Sequence, residues 1–158
     1  ILKLLKNNFL LALLSFMKSK NWLNRQKNDQ FVKKAKQLGY INRAAFKLEE
    51  IEQKYKIIEH SREILELGSS PGGWTQVILN YNTKTIITCF DLLDMKINNQ
   101  RIAFFKEDFL KYNFTNLKNK FDFVLSYVAP NTTGHQSTDH LRISQLIYEV
   151  IDLSLIHI

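Results

Sequence analysis

Three glycines and a tryptophan follow an apolar segment in the motif Leu67-Gly68-Ser69-Ser70-Pro71-Gly72-Gly73-Trp74. Glycine has no Cβ, so Gly68 can form a tight turn, and Gly72 and Gly73 let a ligand approach the backbone closely. A helix is expected to begin near Trp74, and the N-terminus of a helix attracts anionic groups. The motif therefore predicts a cradle for a nucleotide-like cofactor.

A carboxylate follows the next apolar segment, which ends at Phe90 and leads into Asp91. Its separation from the glycines is roughly the twenty residues at which a nucleotide site places an acid on a ribose diol. A dinucleotide-dependent dehydrogenase is a weaker interpretation, because the Gly-x-Gly-x-x-Gly spacing is missing and Pro71 interrupts the turn. A P-loop is weaker still, since no Gly-Lys-Ser/Thr follows the glycines.

Strand patterns alternate with helical patterns around these motifs. Strands are predicted at 64–67, 85–90, 102–105 and 121–126, and helices at 40–58, 75–81 and 141–153. In the last helix, the residues expected on the buried side are Ile143, Leu146, Ile147 and Val150. This order predicts an α/β chain with a largely parallel sheet, which brings the carboxyl ends of its strands to one edge.

The composition favours a polyanionic partner and gives no sign of a metal. The 158 residues suit one domain, and the formal net charge of +7 attracts phosphate groups. The single cysteine, Cys89, excludes an intrachain disulfide. The four histidines show no metal-ligand spacing, so no metal site is predicted.

A basic segment at 18–36 interleaves lysines and an arginine with Trp22 and Phe31. Cationic and aromatic side chains together can neutralise phosphates and stack on unpaired bases, which predicts an RNA-facing surface. The alternative is a charged helix whose aromatic residues dock it onto the core.

Residues 1–17 are predicted to be a leader or a non-native segment, and residues 18–158 to form a partial Rossmann-like domain. The apolar run 9–17 is too short to span a bilayer, so no membrane anchor is expected. A cleaved targeting segment and an organellar leader remain alternatives to upstream sequence translated ahead of a start at Met17. We expect a cytoplasmic protein, with a mitochondrial one as the alternative.

Six motifs between Trp22 and Leu153 resemble the FtsJ/RrmJ family in kind and order. They are Lys33-Lys34-Ala35-Lys36, Arg43-Ala44-Ala45-Phe46-Lys47-Leu48, Leu67-Gly68-Ser69-Ser70-Pro71-Gly72-Gly73-Trp74, Asp91-Leu92-Leu93, Glu107-Asp108-Phe109 and Ala129-Pro130-Asn131 with Gly134. The resemblance implies a Rossmann-like class I methyltransferase sheet. It also implies methyl transfer from S-adenosyl-L-methionine to a ribose 2′-hydroxyl of RNA, with a uridine of large-subunit ribosomal RNA or a ribosomal subunit as partner.

The resemblance also implies site residues. Lys47 matches the first lysine of the family's Lys-Asp-Lys-Glu catalytic set, although alone it reads as a solvated helix lysine. The implied cofactor-binding residues are Gly68, Gly72, Gly73, Trp74, Asp91, Asp108 and Tyr127. Asp91 and Asp108 would contact the adenosine end, and their alternative role is to cap the ends of strands.

Two departures from the family pattern concern catalysis. Tyr127 stands where the family carries its catalytic aspartate, and a neutral hydroxyl cannot stabilise positive charge as a carboxylate does. The family's second lysine and its glutamate lie beyond the helix ending near Leu153, so the sheet is predicted to be truncated after its fourth strand and that helix. We expect poor folding or inactivity, with the fourth strand left as an unpaired, apolar edge of the sheet and a non-native segment at 154–158. The alternative function is a degenerate RNA-binding homologue without catalysis.

Overall fold

The computed structural model describes residues 28–117 and 120–157. Within these ranges, residues 28–43 and the residues from Ala44 onwards belong to two units, which are described in turn. The predicted leader at 1–17, its boundary with the domain, and the basic residues at 18–27 lie outside the described residues.

The first unit contains helix α1, Gln30–Gln37. Asp29 caps its N-terminus, where its carboxylate accepts a hydrogen bond from the Phe31 amide at 2.8 Å. The same carboxylate pairs with the Arg43 guanidinium. Three lysines of the predicted RNA-facing segment are exposed on or beside this helix; they are Lys33, Lys34 and Lys36.

The second unit is built on a parallel sheet of four strands. The strands are β1 (Glu63–Leu67), β2 (Ile86–Phe90), β3 (Ile102–Phe105) and β4 (Phe123–Ser126), in the order β3-β2-β1-β4. Every pairing in this sheet is parallel. The α/β prediction is confirmed, and among the described strands β4 pairs with β1 alone, as predicted. Two strands are shorter than predicted, because Thr85 and Phe121 lie outside them.

Three helices flank this sheet, namely α2 (Ala45–Tyr55), α3 (Gly73–Tyr81) and α4 (Gln136–His157). Two 3₁₀ helices, Phe109–Lys111 and Phe114–Leu117, precede β4. The predicted helix at 40–58 is wrong at both ends. It stops because Lys56 adopts a left-handed conformation with φ of 55°, and the buried Glu52 carboxylate then accepts the amides of Ile58 and Glu59.

Phe90, at the end of β2, lies in the middle of the hydrophobic core. Its ring stacks on Phe105 at a centroid distance of 4.9 Å and meets Tyr112 edge-on at 4.8 Å. Leu65 and Leu67 of β1 are completely buried in the same cluster. Burial of this kind is the main source of stability in such a domain, and here it lies directly beneath the turn that follows β1.

Helix α4 is less buried than its sequence predicts. Leu146 and Val150 pack against the core, but Ile143 and Ile147, expected beside them, are 41% and 49% exposed. The prediction for these two residues is therefore wrong. The sheet contacts a narrow stripe of this helix, whereas the sequence distributes apolar residues more widely around it.

Candidate functional site

Gly68 ends β1 in a turn that no residue with a side chain would fit. Its φ is +75°, and its amide donates to the Phe90 carbonyl at 2.9 Å. A Cβ at this position would lie 2.9 Å from the carbonyl carbon of Tyr127 and the same distance from the Val128 amide nitrogen. The glycine is thus required because the chain leaving β1 passes directly against the chain leaving β4.

Gly72 packs closely against the loop after β2. Its φ is +109°, but a Cβ there would lie 2.9 Å from the Met95 sulfur and 3.0 Å from the Ile97 Cδ1. Two side chains of the loop after β2 thus fill the space in which a Gly72 side chain would lie, and the predicted contact of this glycine with a cofactor stays a prediction. Gly73, next to it, is buried and begins α3.

The loop after β2 is fastened to the glycine turn by hydrogen bonds. The Asp91 carboxylate accepts the amides of Ser70 and Leu93, both at 2.8 Å. In addition, the Ser70 hydroxyl donates to the Leu93 carbonyl at 2.7 Å, and the Lys96 amide donates to the Pro71 carbonyl at 3.1 Å. Asp91 therefore caps the end of β2 through the Leu93 amide and also fastens the glycine turn to the loop.

Asp91 also retains capacity for a ligand. An ionised carboxylate has about four acceptor positions, and the two amides use one on each oxygen. The side chain is partly exposed at the carboxyl edge of the sheet. Its chemistry therefore fits the hydroxyl groups of a ribose, and the contact of Asp91 with a cofactor stays a prediction.

Trp74 connects three parts of the site. Its buried indole N–H donates to the Ala44 carbonyl at 2.8 Å, and its ring lies 5.1 Å from that of Tyr127. The Lys47 amide donates to the same Ala44 carbonyl at 3.1 Å. Trp74 thus joins the start of α3 to the first turn of α2, where Lys47 carries an exposed side chain.

Asp108 is used as a cap in the structure. Its carboxylate accepts the Leu110 amide at 3.1 Å and so begins the 3₁₀ helix Phe109–Lys111. It follows β3 at the same edge of the sheet at which Asp91 follows β2, where the Asp91 amide donates to the Phe105 carbonyl at 3.2 Å. The contacts show the capping role, and the predicted contact with adenosine stays a prediction.

Glu66 is a polar residue of this region that the sequence analysis did not single out. It lies on β1, is 1% exposed, and accepts the Thr75 hydroxyl at 2.7 Å; the Cys89 thiol lies 3.7 Å from the same oxygen. Burial raises the pKa of Glu66 from 4.5 to about 7, and burial also raises the pKa of the Cys89 thiol. The available signal was an acid inside an otherwise apolar strand next to the glycine motif.

Neither a metal cluster nor a membrane span is found in the part of the chain that the structure describes. Residues 28–117 and 120–157 contain no grouping of three or more histidine, cysteine or acidic side chains that could hold a metal ion. Across these same ranges, no helix has the length and apolar character needed to cross a bilayer.

The glycine turn, Asp91 and Trp74 lie at the carboxyl edge of a parallel sheet, which is the edge at which Rossmann-like proteins bind their cofactors. The model of the FtsJ-like methyltransferase family matches residues 40–158. The chain belongs to the FtsJ-like methyltransferase family, which confirms the resemblance found in the sequence.

Curated relatives agree with this assignment. The chain is 39% identical to ribosomal RNA large subunit methyltransferase E of Rickettsia bellii over 147 residues, which cover 87% of this chain and 65% of that protein. It is 41% identical to the protein of the same name from Anaplasma phagocytophilum, covering 87% of this chain and 59% of the relative. The chain thus spans about three fifths of the length of these relatives.

A solved structure with the same fold comes from Plasmodium falciparum. It is a crystal structure of a protein described as a ribosomal RNA methyltransferase, and it superposes with a TM-score of 0.59 at 27% identity. The similarity covers 71% of this chain and 69% of that one. It supports the Rossmann-like methyltransferase sheet that the resemblance implied.

Proposed function

We propose that this chain binds S-adenosyl-L-methionine and forms the donor-binding part of an enzyme that methylates a ribose 2′-hydroxyl of ribosomal RNA. One observation supports the proposal most strongly. The Asp91 carboxylate hydrogen-bonds both to the glycine turn and to the loop after β2, and it retains acceptor positions for the hydroxyl groups of a ribose. The family and the names of the relatives favour this function over an RNA-binding homologue without activity.

The residues of the site fit the chemical groups of this donor. The start of α3 at Gly73 and Trp74 presents helix N–H groups to the donor's carboxylate, and Asp91 accepts from its ribose hydroxyls. Asp108 would accept at the adenosine end in addition to capping its helix. When bound, the donor supplies an electrophilic methyl group on a sulfonium.

Lys47 and Tyr127 would act on the acceptor side. The exposed Lys47 ammonium at the start of α2 would orient the ribose hydroxyl, and an oriented hydroxyl reacts faster because less orientational freedom is lost. The Tyr127 ring is half exposed above Trp74, at the position where the family has its catalytic aspartate. Tyr127 would contribute a neutral hydroxyl there, and the excess positive charge of the chain favours an RNA partner.

The proposed function also predicts the cellular compartment in which the protein works. Relatives named as ribosomal RNA methyltransferases lead us to propose a protein that works where ribosomes are assembled, in the cytoplasm or, as the alternative, in mitochondria. We also propose that the RNA is bound as part of a ribosomal subunit.

The direct test is calorimetric titration with S-adenosyl-L-methionine of the wild-type chain, Asp91→Asn and Asp94→Asn. Asp94 lies in the same loop and pairs at the surface with Lys106, so it controls for loss of a negative charge. We expect wild-type binding, near-normal binding by Asp94→Asn, and a loss of about tenfold or more in Asp91→Asn, since a charge-assisted hydrogen bond is worth about 1.5–3 kcal/mol. Absence of binding by folded wild-type chain would contradict the proposal.

Because this chain spans about three fifths of the length of its relatives, methyl transfer is tested in the full-length protein, with isotopically labelled donor and ribosomal RNA that lacks the modification. Lys47→Ala is compared with Lys54→Ala, because both lysines are on α2 and Lys54 contacts the Tyr55 ring. Transfer should be lost in Lys47→Ala and kept in Lys54→Ala. Tyr127→Asp should raise the rate, because a positioned charged group contributes about 2.7–4 kcal/mol in a transition state. Equal rates for all variants would contradict the assigned roles.

A further inference from the structure

A cavity lies in the first unit, between helix α1 and the segment that follows it. Helix α1 ends because Gly39 adopts a left-handed conformation with φ of +74°, and the Tyr40 amide then donates to the Ala35 carbonyl at 2.8 Å. Three residues further on, the Arg43 guanidinium pairs with Asp29, the N-cap of the same helix. The segment after α1 therefore runs back along the helix from its last turn to its start.

The cavity between the helix and this segment has a volume of about 310 Å³. Sites for small molecules occupy about 300–1,000 Å³, so this volume suits one flat ring system rather than several. Val32, Ala35 and Ile41 make part of the lining apolar, and Tyr40 adds an aromatic residue. None of the described residues that line the cavity is acidic. The lining therefore fits an apolar ring that belongs to an anionic molecule.

Two cationic residues line the same cavity. Lys36 is exposed, and the Arg43 side chain is 55% exposed. The Asp29 carboxylate accepts from the Nη1 atom of Arg43, which leaves the other guanidinium nitrogens as donors for a second anion. Asp29 offsets one positive charge, but Lys33 and Lys34 are exposed on the same helix and keep its surface positive. A phosphate group would be attracted to this part of the chain.

We propose that this cavity, called the α1 pocket below, binds a single unpaired nucleotide of RNA. Its base would lie between the apolar residues and the Tyr40 ring, and its phosphate would contact Lys36 and Arg43. Unpaired bases are recognised by stacking on aromatic rings and by hydrogen bonds to their edges, and Asn42 adds a side-chain amide to the lining. The α1 pocket is additional to the donor site, but the choice of RNA as its ligand rests on the function proposed above.

The test compares two single-stranded probes, a short oligouridylate and the same ribose-phosphate backbone without bases. Both carry the same charge, so the ratio of their affinities for the full chain, measured by fluorescence anisotropy, isolates the contribution of the bases. Val32→Phe should fill the α1 pocket without a change of charge and lower this ratio about tenfold, as expected for the loss of one stacked base. Tyr40→Ala should lower it by a similar factor, and Tyr40→Phe, which keeps the ring, should retain the wild-type ratio.

A pair of lysine variants tests the phosphate contact. Lys36 and Lys33 are both exposed on α1, but among the described residues only Lys36 of the two lines the α1 pocket. Lys36→Ala should weaken the binding of both probes and reduce the slope of log affinity against log salt by about 0.7, as for one lost phosphate contact. Lys33→Ala should change the slope less. Equal slopes for the two variants would overturn the phosphate contact.

The remaining outcomes separate this inference from the proposed function. An identical ratio in the wild type, Val32→Phe and Tyr40→Ala would overturn the α1 pocket, even in a chain that binds S-adenosyl-L-methionine. Competition by uridine monophosphate as strong as that by oligouridylate would overturn RNA as the ligand in favour of a free nucleotide. A ratio that depends on the α1 pocket in a folded chain that binds no donor would support the pocket and contradict the proposed function.

Discussion

The carboxyl ends of β1 and β4 are neighbours in the sheet, yet they are built differently. The chain leaving β1 is partly buried and is fixed by hydrogen bonds from Gly68, Ser69 and Ser70 to β2 and its loop. The chain leaving β4 carries Tyr127, which is 51% exposed, and leads towards a helix with many exposed apolar residues.

The two strand ends match two different requirements of the proposed methyl transfer, one for the donor and one for the acceptor. A donor site must be held rigidly, and the β1 end achieves this through buried contacts on both sides of its strand. An acceptor site has to admit a large substrate, and an exposed aromatic side chain at the β4 end suits stacking on a base. Substitutions should therefore have large effects on stability at the β1 end and small ones at the β4 end.

The largest effect is expected from Gly68→Ala. A methyl group would collide with the backbone after β4 and occupy a left-handed conformation, so we expect a loss of about 3 kcal/mol or more in the free energy of unfolding. Gly134→Ala is the matched control, because its φ is also positive, at +86°, with open space around it; about 1 kcal/mol should be lost there. Urea unfolding measures both, and similar losses would argue against the close approach of the two chains.

Glu66→Gln should have the next largest effect on the free energy of unfolding, and this substitution should stabilise the protein rather than destabilise it. The pKa of Glu66 is raised from 4.5 to about 7 in the folded chain, so its favourable contribution is complete below pH 4.5 and is lost as pH rises through 7. Above neutrality the variant should be more stable than the wild type by about 3 kcal/mol, and near pH 4 the two should be similar. Chemical unfolding at a series of pH values tests this, and a pH-independent difference would contradict it.

Trp74→Phe should have a moderate effect. The variant keeps an aromatic ring beside Tyr127 but loses the indole N–H, which leaves the Ala44 carbonyl without that donor. A loss of about 1–1.5 kcal/mol is expected in unfolding experiments. Lys47 should be displaced as well, so methyl transfer should fall more than donor affinity. If methyl transfer and donor affinity fell by the same factor, Trp74 would not be a residue that positions α2.

Tyr127→Ala is expected to have the smallest effect on stability. The ring is half exposed, and its contact with Trp74 is worth about 0.5–1 kcal/mol. Tyr127→Phe retains the ring and should be nearly neutral. Thermal unfolding of both variants would reveal a loss comparable to that of Gly68→Ala if the β4 end were as rigid as the β1 end.

Local sequence patterns were sufficient for the parallel sheet, for the turn after Leu67 and for Asp91 at the end of β2. Each of these features has a signal in residues that are close together in the chain. The signals are apolar runs, glycines that permit a turn, and polar residues at the ends of strands. The ends of the helices were less predictable. The helix from Ala45 stops at Tyr55 because Lys56 turns left-handed and Glu52 binds amides after it, and apolar periodicity does not report either event.

The sequence by itself determined the family, the fold class and the residues gathered at the carboxyl edge of the sheet, since motif order and strand ends are properties of the chain alone. The tertiary structure alone decided what those residues touch. Gly72 packs against Met95 and Ile97 rather than leaving open space, Trp74 bonds to the start of α2, and Glu66 is buried without a cation. The physical reason is that contact and burial depend on segments far apart in the sequence, which only folding brings together.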